Sequence, residues 1–503
     1  MAEKKQNENN VKKASDKKER TLKLMEAKKR RSVAKVRLKA YKKEKRRLKK
    51  EEKRQAVAAK LNKKLNTEPT TAQKISMLAK NQRRPDSWLN LDNAALIFPA
   101  AENADISNMF RLSVLMKDPV DPIVLQQALN ELIPRFPSMT SAVKRGLFWY
   151  YLEPSGKPLT IECQHDFPCR KIPVDSRHPL IRVTYYSHEI SVEFFHSATD
   201  GTGGITFLNS LVAAYLRLSG KGEEDNENCL DTRDRPRAEE LIDSFQTSFD
   251  KSVKGGNDSP QAYNYKMRRL PATALILVKG TAKADEINRI AKLYNATVGE
   301  LLTAIYILSF AEAMKLYGKK GKKSIVISVP VNLRKLYPSK TLRNFVSMMS
   351  IAHRGGDTLE KIISECKDQF RAQYNREFFD KLVGYNVWGQ HFFLIKIAPL
   401  PVKRLALKLL NLKYGDNVRT STLSNLGRVS APDYFKKHVL RYEFSLGPQI
   451  HESIDLTCVT FNNILTMTFT KTSSENDVER FFFSKLSELG AHVAIDANFD
   501  PEK

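Results

Sequence analysis

Cysteine is scarce in this 503-residue chain: there are five, at Cys163, Cys169, Cys229, Cys366 and Cys458. They include no Cys-x-x-Cys pair and their number is odd. This argues against a disulfide framework or a structural zinc site and for a reducing compartment. Long apolar runs are missing as well, since no stretch approaches the roughly 20 apolar residues that a membrane span needs. The nearest, Phe392–Leu412, is broken by Lys396, Lys403, Arg404 and Lys408. It predicts an amphipathic helix that covers a core or touches a membrane surface. The first residues are polar and lack the apolar stretch of roughly 7–15 residues that marks a secretory signal. A cytoplasmic protein is therefore expected, or one held peripherally on the inner face of the membrane. Proline and glycine are both absent before Pro69.

What fills that opening stretch is charge. Residues 1–64 carry 27 Lys/Arg against 8 Asp/Glu, so most of the chain's net charge of +28 lies there. The residue types favour helix, but too few are apolar to bury a face. Residues 1–82 are expected to be a basic, low-complexity tail, disordered or solvated as a helix. Such an arm attracts polyanions through counterion release, and an anionic membrane would serve as well as RNA. Tyr41 is its one aromatic residue, so base stacking has no platform. The Lys319–Lys323 run reads as a solvated loop, with CoA phosphates as an alternative partner.

The rest of the chain, 41% hydrophobic overall, can bury a large core. Its alternating and 3.6-residue patterns predict strands at Phe110–Met116, Leu147–Leu152, Leu180–Tyr186 and Glu189–Phe195, and helices at Ile123–Ile133 and Gly204–Leu218. Residues Gly220–Asp258 are polar and acidic, as in a crossover linker. The alternation then repeats, with strands at Ala274–Val278, Ser324–Val331, Ile454–Phe461 and Ile464–Thr470. Helices are expected at Ala284–Tyr294, Val298–Leu316 and Glu475–Leu489, and Asn462-Asn463 should turn a hairpin. The predicted layout is a tail at 1–82, one lobe at 83–247, a linker at 248–269 and a second lobe at 270–503. The fold class is α/β (α+β).

One segment carries chemistry. The strand ending at Phe195 runs into His196-Ser-Ala-Thr-Asp200-Gly201-Thr-Gly203-Gly204, and a helix follows. A histidine at a strand end can face a cleft and take a proton from a hydroxyl or thiol near neutral pH. Asp200 can fold back and brace the loop against a cation, and the glycines allow positive φ and close backbone approach. A histidine beside a glycine-rich turn is also often only structural. The remaining histidines (His165, His178, His188, His353, His391, His438, His451 and His492) show no ligand spacing and read as surface or packing residues, so no metal site is expected.

The HxxxDG pattern resembles the signature of the CoA-dependent acyltransferase superfamily, whose fold is that of chloramphenicol acetyltransferase. The chain looks most like the alcohol acetyltransferase group. Three further segments agree, in the family's order: Asp92–Pro99, Ser328–Arg334 extended by Pro338–Phe345, and Ser424–Val429. The match covers about residues 86–490. The resemblance implies two similar lobes around a central tunnel, with His196 as general base for acyl transfer from acyl-CoA (acetyl-CoA above all) to an alcohol. CoA is then a co-substrate, and no resident cofactor is implied. It also implies an ion pair between Asp200 and Arg334, with Gly201 structural beside it. Asn332, Ser421, Thr422, Ser424 and Asn425 are its candidates for oxyanion or substrate contacts, each with strand-end capping as the bland reading. Phe195 stands where many members carry a second histidine, which points away from a condensation role. A monomer is expected. The alternative from a different class is a non-catalytic protein on this fold that binds an anionic membrane or nucleic acid through residues 1–64.

Overall fold

The computed structural model describes residues 69–498 apart from 81, 83–87, 102–106, 224–226, 254–255, 257–259, 266, 269, 271–273, 317–322, 392–396, 411–417 and 449–453. Residues 1–68, most of the Lys319–Lys323 loop and the start of the Phe392–Leu412 stretch lie outside the described residues.

The first half comprises α1 (Thr71–Lys80), β1 (Leu89–Asn90), α2 (Ile97–Ala101), β2 (Met109–Met116), α3 (Pro122–Leu132), β3 (Ser141–Arg145), β4 (Tyr150–Pro154), β5 (Glu162–Cys163), β6 (Ile181–Tyr186), β7 (Glu189–Phe195) and α4 (Gly201–Leu218). The second half opens with β8 (Ile276–Lys283), α5 (Ala284–Leu293), α6 (Val298–Leu316), β9 (Ile325–Asn332), β10 (Val346–His353) and α7 (Leu359–Gln373). It continues through α8 (Arg376–His391), α9 (Leu400–Leu410), β11 (Ser421–Arg428), β12 (Val439–Leu446), β13 (Ile454–Phe461), β14 (Ile464–Lys471), α10 (Asp477–Glu488) and β15 (Ala494–Ala497).

Local chemistry explains many of the boundaries. Asp121 caps α3 by accepting from the Ile123 and Val124 amides, and Pro122, which lacks an N–H, opens the helix. Thr297 and Glu300 form a reciprocal capping box at the start of α6. Asn462 and Asn463 both adopt positive φ in the β13–β14 turn, as the sequence predicts.

Two hydrophobic cores result. One gathers β2, β6, β7, α3 and α4, including Leu112, Leu129, Val192, Phe194 and Phe207. The other surrounds α6, with Ile305, Phe310, Ile327, Ile351, Leu456 and Phe482. The sheets are mixed. The larger runs β10-β9-β11-β13-β14-β8-β15, with β11 parallel to both neighbours. The smaller runs β12-β2-β7-β6-β5, so a strand from the second half completes the first lobe's sheet. It pairs antiparallel from Val439↔Met116 to Leu446↔Phe110. Sheet membership therefore does not follow the division of the chain at residues 248–269. A third sheet, β1-β4-β3, is a small antiparallel unit.

The structure departs from the sequence expectations at three other places. Residues 71–80, expected within the solvated tail, form a helix packed on α3. Ile75 and Ala79, one turn apart, are buried, and Asn130 Nδ2 donates to the Leu78 carbonyl at 3.1 Å. Within the stretch read as a polar linker, Glu240 accepts two hydrogen bonds from buried Arg135 at 2.6 and 2.7 Å. The same stretch ties to the second half, since the Leu342 amide donates to the Glu240 carbonyl and Thr341 Oγ1 to that of Ile242. Finally, α4 begins at Gly201 and not at Gly204, because Asp200 is its N-cap.

Candidate active site

His196 follows directly on β7. Its amide donates to the Asn108 carbonyl, and its ring sits between the stacked ring of Phe98 (centroids 4.6 Å apart) and the edge-on ring of Phe110 (5.1 Å). The residue remains partly exposed. On its other side comes Asn344, from the second half: His196 Nδ1 and Asn344 Oδ1 lie 3.0 Å apart. The amide orientation is fixed independently, because Asn344 Nδ2 donates to the His196 carbonyl at 2.9 Å and to Asp92 Oδ2 at 3.3 Å, both pure acceptors. Oδ1 must then accept, so Nδ1 carries the proton and Nε2 holds the lone pair. Among the described residues no hydrogen bond engages Nε2. Burial pushes the pKa of His196 down, opposed by a hydrogen bond to its own backbone, then by the charge of Asp200 and the hydrogen bond to Asn344. The neutral ring is favoured.

The loop after the histidine is held from both ends. Asp200 is buried; its Oδ1 accepts from the Thr202 and Gly203 amides, while Oδ2 accepts from Arg334 Nη1 and the Phe345 amide, each at 2.8 Å. The expected Asp200–Arg334 ion pair is present. Arg334 is itself fixed by donating to the Thr341 and Arg343 carbonyls. Asn332 accepts from the Arg334 amide and donates to Thr202 Oγ1 at 3.0 Å, so it braces this contact between the lobes.

Of the two expected roles the glycines fill one, close approach, and not positive φ. None of Gly201, Gly203 and Gly204 has positive φ. They are small because neighbours press on them. A Cβ at Gly203 would collide with the Leu342 carbonyl and Thr199 Oγ1, and one at Gly201 with the Leu426 side chain. Close approach of the Leu342 backbone from the second lobe, and not backbone conformation, requires glycine at position 203, while Gly204 makes room for Phe110 and Leu112 of the first lobe.

The oxyanion candidates separate by strand alternation. Ser421 points into the second core, where its hydroxyl meets Tyr306 at 2.6 Å and donates to the Ile454 carbonyl at 2.7 Å. It is fully buried there and turned away from the loop. Thr422 and Ser424 alternate onto the opposite face, and Leu426, within the bulge that follows, presses on Gly201. Asn425 serves a bulge, its Oδ1 accepting from the amide of Gly427, whose φ is 72°.

Two positions escaped the sequence reading. Asn344 lay inside the Pro338–Phe345 stretch that carried the resemblance, but nothing local marked it as the partner of a histidine 148 residues away. Asp92, within the opening motif, is buried behind Asn344 and faces Arg343 Nε at 3.4 Å; burial raises its pKa and Arg343 opposes this. His353, read from the sequence as a surface or packing residue, is buried and lies beside two carboxylates, Asp357 and Glu365. The Gly355 amide donates to His353 Nδ1 at 2.8 Å, so the neutral ring carries its proton on Nε2, between the two carboxylates. That proton occupies the lone pair a metal would need.

No protein-family model matches the chain. Two curated relatives, the uncharacterized proteins MT2362 and Rv2305 of Mycobacterium tuberculosis, are each 26% identical over 268 residues, 48% of this chain. The match spans little more than half of each relative's length, 57%. Solved structures are similar over far more of the chain. Polyketide synthase associated protein 5 from Mycobacterium tuberculosis aligns with a TM-score of 0.54 at 12% identity, over 80% of this chain and 98% of that one. The first condensation domain of the CDA synthetase aligns with a TM-score of 0.52 at 14% identity, over 81% and 97%. Trichothecene 15-O-acetyltransferase from Fusarium sporotrichioides gives 0.51 at 11%, over 79% and 93%. At such identities the likeness defines the fold: a two-lobed α/β architecture of the chloramphenicol acetyltransferase and condensation-domain type.

Proposed function

We propose that this protein is an O-acyltransferase that moves an acyl group from CoA to an alcohol hydroxyl, with His196 as general base. The observation that carries this reading is the locked tautomer, with Nδ1–H held by Asn344 and a lone pair on Nε2 that no described residue engages. The acetyltransferase among the structural relatives supports the reaction class.

Nε2 takes the hydroxyl proton as the alcohol oxygen attacks the thioester carbonyl. The C–O bond forms and the carbonyl oxygen becomes an oxyanion. Ser424, two residues before the Leu426 side chain that presses on Gly201, is the donor we assign to that oxyanion. Collapse breaks the C–S bond, and the imidazolium returns its proton to the departing thiolate. Ester and free CoA thiol are the products, with protons balanced and no covalent acyl-enzyme. Asp200 and Arg334 position the loop and touch no substrate.

Thiol release from a panel of acyl-CoAs, each offered simple alcohols, tests the reaction. His196→Ala should lower the rate by about 10²–10⁴-fold with its circular dichroism unchanged. Because burial depresses the histidine's pKa, the base form persists in mild acid. The rate should fall only below the ordinary histidine range. Undiminished turnover by the variant overturns the assignment.

A further inference from the structure

Helix α9 has reversed polarity over Val402–Leu405. A helix on a water-facing surface buries its aliphatic residues and exposes its lysines. Here Lys403 is only 9% exposed, whereas Val402 and Leu405 are 56% and 61% exposed. Lys403 Nζ donates to the Phe148 carbonyl at 2.9 Å and lies 3.3 Å from the centre of the Trp149 ring, and burial lowers its pKa. The β3–β4 hairpin that receives the lysine presents more apolar surface at its tip. Leu147 is 71% exposed and Phe148 is exposed beside it, and the Leu147 carbonyl accepts from the Leu400 amide at the start of α9. α9 also packs on α2, which exposes Ile97. Trp88 stands exposed beside β4, edge-on to Tyr151.

Charge on these elements is one-sided. Within α2, the β3–β4 hairpin and α9, the cations are Lys144, Arg145, Lys403, Arg404 and Lys408, and Glu153 is the single carboxylate. Glu153 is already paired with Lys144. Apolar side chains projecting from neighbouring elements, with exposed Arg145 and partly exposed Arg404 beside them, match the boundary between anionic headgroups and acyl chains.

We propose that α9, the β3–β4 hairpin tip and α2 form a docking face for an anionic lipid bilayer, into which Ile97, Leu147, Phe148, Val402 and Leu405 insert. The face is distinct from the basic tail. It is also continuous with the candidate active site, because α2 carries Phe98, whose ring stacks on His196. Delivery of a lipid-soluble alcohol from the bilayer to His196 rests on the acyl-transfer reading; the docking itself does not.

The test is flotation of the full-length chain with phosphatidylcholine vesicles and with mixed phosphatidylcholine–phosphatidylserine vesicles, for the wild type and for a Leu147→Glu/Leu405→Glu variant. Both proteins keep the same tail, so its contribution cancels. The wild type should bind the mixed vesicles more tightly than the neutral ones. The variant should bind the mixed vesicles about 10-fold more weakly or worse, with unchanged circular dichroism. It should also release thiol at the wild-type rate with a water-soluble alcohol, which separates failure of docking from failure of the acyl-transfer reading. Equal binding by the two proteins overturns the proposal. So does a wild type that ignores vesicles and self-associates through this face, shown by a dimer on sizing that the variant converts to monomer.

Discussion

His196 and His353 each contact a hydrogen-bonding partner through Nδ1, with opposite polarity. At His196 the Nδ1 proton is donated to Asn344 Oδ1, which leaves Nε2 with its lone pair on a partly exposed ring. At His353 the Gly355 amide donates to Nδ1, so the proton sits on Nε2 and faces Asp357 and Glu365. Burial and residue type would mark either ring as functional. The tautomer separates them: at His196 a side-chain amide from the other half of the chain and the residue's own backbone act on the ring, at His353 a local backbone N–H.

The comparison can be broken first at the brace that only His196 possesses. Arg334→Met leaves the buried Asp200 carboxylate with its backbone donors but without its cation. A loss of about 3–5 kcal/mol is expected in urea unfolding. A change well under that would mean the loop is held without the pair. Next comes the group that sets the tautomer. Asn344→Ala should lower kcat about 10²-fold, because the ring is no longer fixed in a productive orientation. The hydrogen bond to Asn344 raises the pKa of His196. Its removal should therefore move the acid limb of the rate profile to lower pH. A loss of rate with an unmoved limb would reduce Asn344 to a packing residue. The smallest effect is expected at the other histidine. His353→Gln should leave thiol release unchanged and cost about 1 kcal/mol of stability. A comparable loss of activity there would erase the contrast.

Much of this was legible along the chain. The β13–β14 hairpin announced itself through Asn462-Asn463, and α3 through Asp121 and Pro122, because those signals act on the backbone next to them. The Asp200–Arg334 pair was reachable only through the family resemblance. Other features were hidden for a common reason. Asn344 is an ordinary polar residue until it meets His196. β12 looks like a second-half strand, and only pairing with β2 places it in the first lobe's sheet. The glycines after His196 suggested positive φ or close backbone approach, and only the packing shows that they serve the second, giving room to Leu342 and Leu426. Ser421 and Ser424 are alike in a string of letters; the pleat sends one to Tyr306 and the other to the opposite face.

By itself the sequence determined what depends on neighbours: the basic excess in residues 1–64, the periods that make helices and strands, the turn and cap residues, and the histidine that ends β7. Those are short-range effects of side-chain type on backbone conformation and hydration. The tertiary structure alone decided which nitrogen of His196 keeps its proton, that Ser421 is buried against Tyr306, and that α9 hides Lys403 while it exposes Val402 and Leu405. Each of these depends on groups far apart in the chain being brought within a few ångströms, where hydrogen bonding and burial act and sequence distance does not.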